Sequence, residues 1–264
     1  MTGSRQRAAI FPKGNRDMIK PSVNVDELDL EHLERLDASS LLRFAFETYG
    51  ERAAIGTSLQ KTGVVIIDLA HKLGIPYRVF FIDTLMNNDE TYELFDEVQE
   101  HYGIEIERFA PREEEVQSLM RSHGQYAHYM ARTTCCHTRK SLPMQRVMKT
   151  MDAWLSGLRS DQSDHRQKRA TKVSWAYDTT GRKVLKLAPL LDWTAEQVDE
   201  YTRNNNLPYN KLYDYVSPYN ERFTTIGCRT CHIPIQEHCE PRAGKFPWEQ
   251  GKKECGLHQN GSGI

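Results

Sequence analysis

The apolar positions change period several times along the chain. Between Asp26 and Asp37, Leu30, Leu33 and Leu36 recur at three-residue spacing and predict a helix. A second helix is expected with Ser39 and Ser40 as its cap, Leu41, Leu42, Ala45, Phe46 and Tyr49 inward, and Gly50 as its end. Arg52 to Thr57 carries Ala53-Ala-Ile55 and reads as a short buried strand. The small polar loop Ser58-Leu-Gln-Lys-Thr-Gly63 then leads into an almost wholly apolar helix, Val64 to Leu73. Tyr77 to Asp83 reads as a second strand. Asn88 to Tyr102 reads as a helix with Phe95, Val98 and Tyr102 on one face, stopped by Gly103. Ile104 to Phe109 reads as a third strand, and Pro111 to Met120 as a crossover helix with proline near its first position.

Arg132 to Met148 continues in a helical pattern, and Ala153 to Leu158 reads as another buried strand. Trp175 to Leu187 looks like a hairpin turning at Asp178-Thr-Thr-Gly181. Thr194-Ala-Glu-Gln197 is a capping box opening a helix that runs to about Asn205, and the aromatic, polar stretch Tyr213 to Phe223 reads as a loop. Strands alternating with helices predict an α/β fold, a mostly parallel sheet with helices on both faces.

Composition narrows the class. Of 264 residues, 39% are hydrophobic and 27% charged, and the net charge is −1, so neither nucleic acid nor a membrane surface is indicated as a partner. No apolar run reaches spanning length. Met1 to Pro21 is polar and basic without an apolar signal core, which suits a mobile N-terminal tail over residues 1–25 and a cytoplasmic protein; Arg5, Arg7 and Arg16 keep a transit peptide as the alternative. Six cysteines without an export signal point to metal binding or catalysis rather than disulfides.

The cysteines fall into a pattern. Cys135-Cys136 and the C-x2-C at Cys228 and Cys231 make two pairs, enough for one four-thiolate site, and leave Cys239 and Cys255. Four thiolates hold zinc or an iron–sulfur cluster, and spacing does not decide between them. Cys255, with Lys252, Lys253 and His258 close in sequence, is the candidate reactive thiol. Lys140 falls about one helical turn beyond the cysteine pair, on the face of Cys136. The loop at Ser58 and Gln60 stands where a helix N-terminus offers N–H groups to an anion, or is an ordinary βα turn. Asp83 ends its strand facing the crevice where such folds bind ligands, or caps the next helix. Arg159, Arg166, Lys168 and Arg169 follow the Ala153–Leu158 strand, either as an anion cluster or as a solvated basic loop.

Taken in order, Cys135-Cys136-x3-Lys140, Gly157-Leu-Arg159 with Asp161-Gln-Ser163, Cys228-x2-Cys231, Pro241-Arg-Ala-Gly244 and Lys253-Glu-Cys-Gly-Leu-His258 resemble the assimilatory adenylyl-sulfate (APS) reductases. The resemblance runs from about Leu41 to His258. It implies a Rossmann-like fold of the adenine nucleotide alpha hydrolase-like type over residues 26–245, with the nucleophile on a flexible C-terminal tail, residues 246–264. One branch of that family keeps only the terminal Glu-Cys-Gly-Leu-His and reduces the 3′-phosphorylated substrate (PAPS). The other adds both cysteine pairs, holds one 4Fe–4S cluster that does not shuttle electrons, and prefers APS; both pairs are present here. The sequence departs from the pattern at Asp83-Thr-Leu-Met, where the family usually has glycine after Asp-Thr, at Lys61-Thr62, which replaces a typically acidic position, at Lys245, where arginine is common, and in a longer loop before Cys228.

The resemblance thus implies a thiolate, Cys255, that attacks the sulfur of adenylyl sulfate and releases AMP. The S-sulfocysteine so formed is resolved by thioredoxin or a similar dithiol protein, with Cys239 a bystander. Cations must surround the reacting anions, and Lys140, Arg159, Arg242, Lys245 and His258 are the candidates, with Ser58 and Gln60 on phosphate. Homo-oligomerisation stays open. The competing readings are a PAPS reductase, a metal-stapled ATP-pyrophosphatase of the same broad fold, whose Ser-Gly-Gly-x-Asp-Ser loop is missing here, and a non-catalytic iron–sulfur protein.

Overall fold

The computed structural model describes residues 28–249. The expected tail over 1–25 and most of that over 246–264, with Cys255 and His258, lie outside the described residues.

Six strands form one sheet: β1 (Ala53–Thr57), β2 (Val79–Ile82), β3 (Ile106–Phe109), β4 (Ala153–Ser156), β5 (Val173–Tyr177) and β6 (Lys183–Leu187). Their order is β3-β2-β1-β4-β6-β5, parallel except for the β5–β6 hairpin at the edge. The helices among the described residues are α1 (Leu30–Arg35), α2 (Ala38–Tyr49), α3 (Lys61–Lys72), α4 (Asp89–Tyr102), α5 (Glu113–His123), α6 (Ala127–Met130), α7 (Arg132–Cys136), α8 (Leu142–Met148), α9 (Asp164–Arg169) and α10 (Ala195–Asn204).

The period-2 geometry of the strands divides the core in two. Ala53, Ile55, Val79, Phe81 and Leu155 face a large core built with α2, α3, α4 and α10, while Ala54, Phe80 and Trp154 face a smaller one closed by Met144, Val147 and Met148 of α8. This is the doubly wound α/β arrangement expected from the sequence. Because β1 leads outward to β2 and β3 while β4 returns on its other side, the strand order reverses between β1 and β4. A crevice opens there at the carboxyl ends of the strands.

Three local expectations are corrected. Asp37, not Ser39 or Ser40, caps α2: its Oδ1 accepts from the Ser40 N–H at 2.7 Å, so the helix starts one residue before the serines. The crossover helix after β3 begins at Glu113 behind an Arg112 cap, so Pro111 precedes it. The helical stretch Arg132 to Met148 is interrupted: His137–Ser141 forms a π turn between α7 and α8. Such wide turns rotate the side chains that follow and recur at functional sites.

Candidate active site

The loops after β1 and β2 are built by one device. The Thr57 Oγ1 accepts from the Leu59 N–H at 3.0 Å, and the Asp83 Oδ1 accepts from the Leu85 N–H at 2.8 Å. Each turn sets its leucine in the left-handed region, Leu59 at φ 57° and Leu85 at φ 56°. A non-glycine residue there costs roughly 1–2 kcal/mol. The resemblance leads one to expect glycine at position 85; leucine is carried by the hydrogen bond to Asp83 and keeps its side chain 43% exposed.

Asp83 is not a crevice ligand. Its carboxylate is fully buried, takes the Arg108 Nε at 2.6 Å and the Tyr92 hydroxyl at 2.9 Å, and also accepts from the Asn87 amide at 3.0 Å. Nor is it the helix cap, since Asn88 holds that position for α4. The residues that this network presents to the crevice are Thr84, Asn87 and Thr91.

The crevice is a cleft of about 1290 Å³ counted to its open mouth. Gly56 and Thr57 come from β1, Ser58 and Gln60 from the loop behind it, and Ser156 and Gly157 from the end of β4. Its floor needs glycine at 56: a Cβ there would stand 2.6 Å from both the Phe80 ring and the Trp154 Nε1. Opposite the sheet, the stretch after α10 folds across the mouth. His232 and Lys245 pair as an isolated antiparallel bridge, and the Phe246 N–H donates to the Cys231 carbonyl at 2.8 Å. Lys140, Arg242 and Lys245 therefore reach one cleft from positions far apart in sequence. They act on the buried imidazole of His232, whose pKa is pushed down to about 2 by burial first and then by Lys245, Lys140 and Arg242. Burial and these cations together keep the imidazole neutral.

The basic loop after β4 divides. Arg166 is buried in the cleft wall and donates to the Gln162 side chain, whereas Lys168 and Arg169 are exposed. Arg159 does not line the cleft; its Nη1 donates to Thr62 Oγ1 at 2.6 Å and its Nε to Asp161 at 2.9 Å, tying the loop to the start of α3. Lys61 of the departing Lys61-Thr62 pair turns away to Asp199 at 2.8 Å.

The two cysteine pairs meet. Cys135, Cys136, Cys228 and Cys231 are all buried, carry no disulfide and line a second pocket of about 320 Å³ behind the cleft. As they stand, the described residues contain no group of three or more His, Cys, Asp or Glu that could hold a metal ion. Arg132, Arg139 and Lys140 line the same pocket. Burial pushes the Cys135 thiol up, with Arg139 working against it, and the hydrogen bond from Cys231 holds Cys228 well below the ordinary thiol range. Lys140 and Cys228 belong to both pockets, and the π turn is what carries Lys140 from the cysteines to the cleft. Cys239 lines neither. Arg139, whose Nη1 donates to the Thr84 carbonyl at 2.9 Å, was not singled out from the sequence; its position beside Lys140 in a basic run was the available signal.

The family model for the phosphoadenosine phosphosulfate reductase domain matches residues 52–234. The adenosine 5′-phosphosulfate reductase of Halalkalibacterium halodurans is 33% identical over 237 residues, 90% of this chain and 97% of that protein. That of Pseudomonas aeruginosa is 34% identical over 222 residues, 83% of this chain and 80% of the relative. Among solved structures, the phosphoadenylyl-sulfate reductase of Candida auris in its phosphate complex superposes with a TM-score of 0.64 at 25% identity, over 80% of this chain and all of that one.

Proposed function

The chain belongs to the phosphoadenosine phosphosulfate reductase domain family, and we propose that it reduces adenylyl sulfate to sulfite and AMP in sulfate assimilation. The observation that carries this reading is the cleft at the strand switch point, where Lys140, Arg166, Arg242 and Lys245 converge on one space beside the Ser58–Gln60 loop. An adenine nucleotide whose phosphate bears a sulfate suits that charge and that position.

The chemistry requires a soft nucleophile. The Cys255 thiolate attacks the sulfate sulfur; the new S–S bond forms as the S–O bond to AMP breaks, and AMP leaves with the electron pair. Both reactants are anions, so the cations of the cleft offset their repulsion. Ser58 and Gln60 hold phosphate at the start of α3, and His258 belongs with the tail that brings Cys255 in. A thiolate of an external dithiol, of the thioredoxin type, then attacks the Cys255 sulfur and sulfite departs with the bonding pair. The donor's second thiol, as thiolate, then attacks its own partner's sulfur in the mixed disulfide, closing the donor disulfide and releasing the Cys255 thiolate. Cys239, which lines neither pocket, is left a bystander in this reading. The proposal includes a cytoplasmic location, where such a donor is kept reduced; no helix among the described residues is long and apolar enough to cross a membrane.

The convergence of the two cysteine pairs on one pocket supports a 4Fe–4S cluster there. Four buried thiols of two pairs line one pocket, and Arg139 and Lys140 beside them would offset the cluster's negative charge, while Arg132 on the same wall is paired to Glu249. Cys135, Cys136, Cys228 and Cys231 would hold the cluster. It would supply a fixed negative charge near Lys140 and would tie the Cys228 segment to the cysteines before the π turn, without delivering electrons.

Sulfite release from adenylyl sulfate with reduced thioredoxin tests the function. A kcat/KM higher for APS than for PAPS is expected. A clear preference for PAPS, the substrate named for the Candida auris neighbour, moves the chain to the other branch, and no sulfite from either nucleotide overturns the reading.

A further inference from the structure

Lys186 is buried to 2% exposure in the middle of β6, and its Nζ has no hydrogen-bond partner. Other buried lysines are treated differently: Lys172 reaches the carboxylate of Asp192 at 2.7 Å and the Leu36 carbonyl at 3.1 Å. Lys186 stands opposite Trp154 in the β4–β6 register, and its Nζ lies 5.1 Å from the centroid of the Trp154 ring. On that face of the sheet Val184 and Ala176 are apolar, and Ser174, opposite Lys186 on β5, does not bond the Nζ. An apolar side chain would serve folding better here, since a buried amine without an acceptor is costly. Both groups that the amine feels, the Trp154 ring and the Arg166 guanidinium, are themselves walls of the cleft.

We propose that Lys186 is a positioning residue for the anionic part of the nucleotide: its buried cation, acting through the Trp154 and Arg166 wall, holds the deep end of the cleft electropositive, and the phosphate of the incoming nucleotide supplies the counter-charge. The inference rests on the reading that the cleft takes an adenine nucleotide. It adds a residue outside the cleft lining to the groups that set affinity.

A titration consequence follows. Desolvation first, and Arg166 second, push the Lys186 pKa down to about 8. The groups facing it are the Arg166 guanidinium from α9, which stays charged throughout, and the Trp154 ring from β4, which does not titrate. A bound phosphate favours the charged amine and raises that pKa. Near pH 8 part of the free protein is unprotonated at Lys186, so binding takes up a proton there, and affinity falls as the pH rises through this range.

The experiment is calorimetric titration of the full chain with AMP, in two buffers of different ionisation enthalpy. Wild type should take up roughly 0.5 proton per AMP at pH 8, falling to about a tenth of a proton at pH 7. K186M, which replaces the amine by a thioether of similar size, should take up almost none at pH 8 and bind AMP about tenfold more weakly at pH 7; its melting curve reports that it is folded. The wild-type measurement stands without the variant: AMP binding with no uptake, or with uptake that does not change between pH 7 and 8, overturns the inference alone. Equal affinity and equal uptake in K186M also overturn it alone. A wild type that does not bind AMP overturns the nucleotide reading and the inference with it.

Discussion

The Cys228 Sγ and the Thr84 Oγ1 share a hydrogen bond at 3.3 Å, joining the cysteine pocket to the end of β2 across 144 positions of sequence. Thr84 also accepts from the Met86 N–H at 3.2 Å, and its carbonyl takes the Arg139 Nη1. One residue thus links the sheet, the π-turn segment and the Cys228 loop. The cleft and the cysteine pocket share a wall because these contacts hold them together.

Thr84→Val removes the hydroxyl from this junction but keeps its shape. The Met86 N–H loses its acceptor and the Cys228 sulfur a hydrogen-bond partner in a buried place, which costs about 1–3 kcal/mol. The variant should melt several degrees below wild type. A melting temperature unchanged within error contradicts the linking role.

Asp83→Asn tests whether that carboxylate serves the fold or the nucleotide. It removes a fully buried charge from the half-exposed Arg108 guanidinium and weakens the buried hydrogen-bond network, at a cost of about 1–3 kcal/mol in stability. The expected outcome is a less stable protein, whose folded fraction keeps a KM close to wild type. A stable variant with a KM raised tenfold or more would return Asp83 to the cleft.

The two arginines after β4 should separate. Arg166→Met takes a cation out of the cleft wall and is expected to raise the KM for adenylyl sulfate at least about tenfold. Arg159→Met breaks the tether to Asp161 and Thr62, and its principal effect should be a lower melting temperature. Steady-state kinetics on both, with melting curves, decide; the opposite order contradicts the placement.

K186M should stabilise the free protein while it weakens nucleotide binding. The folded pKa of Lys186 is about 8 and its ordinary value 10.5. Between these values the unfolded chain holds a proton that the folded chain lacks, so wild-type stability rises with pH across that window. Below it the cost of the buried charge is fully present, about 3 kcal/mol. Denaturant unfolding of the apo protein should therefore show K186M more stable at pH 7, by an amount that shrinks toward pH 10. A variant less stable at pH 7 means that the amine holds the fold together.

The parts of this molecule readable from the sequence are those fixed by local period and punctuation. The βα alternation, the Asp178–Gly181 hairpin and the Thr194–Gln197 capping box depend on residues within a few positions of one another, and each stands where the pattern put it. The cysteine pairs, Lys140, Arg242 and Lys245 were legible as an ordered set of motifs. What no local pattern carries is partner choice across the sheet. Asp83 looks like a ligand until Arg108 on β3 and Tyr92 on α4 are seen to occupy it. Arg159 and Arg166 look equivalent until Thr62 takes one of them. Lys186 looks like the polar position of an edge hairpin, and only the register with Trp154 shows that both faces of β6 are buried.

Iron content addresses the cysteine pocket apart from activity. Protein purified without oxygen should be brown and carry about four irons per chain, and Cys228→Ser should lose most of that iron. Stoichiometric zinc without iron in the wild type contradicts the cluster.

The central claim is that Cys255 carries the sulfur between substrate and reductant. Intact protein, incubated with adenylyl sulfate and no reductant and then weighed, answers it. Wild type and Cys239→Ser should each gain the mass of one SO3 group, Cys255→Ser should gain nothing, and reduced thioredoxin should strip the group from the first two at similar rates with release of sulfite. An adduct that persists on Cys255→Ser, or a wild type that releases sulfite unaided while Cys239→Ser retains the group, contradicts the account.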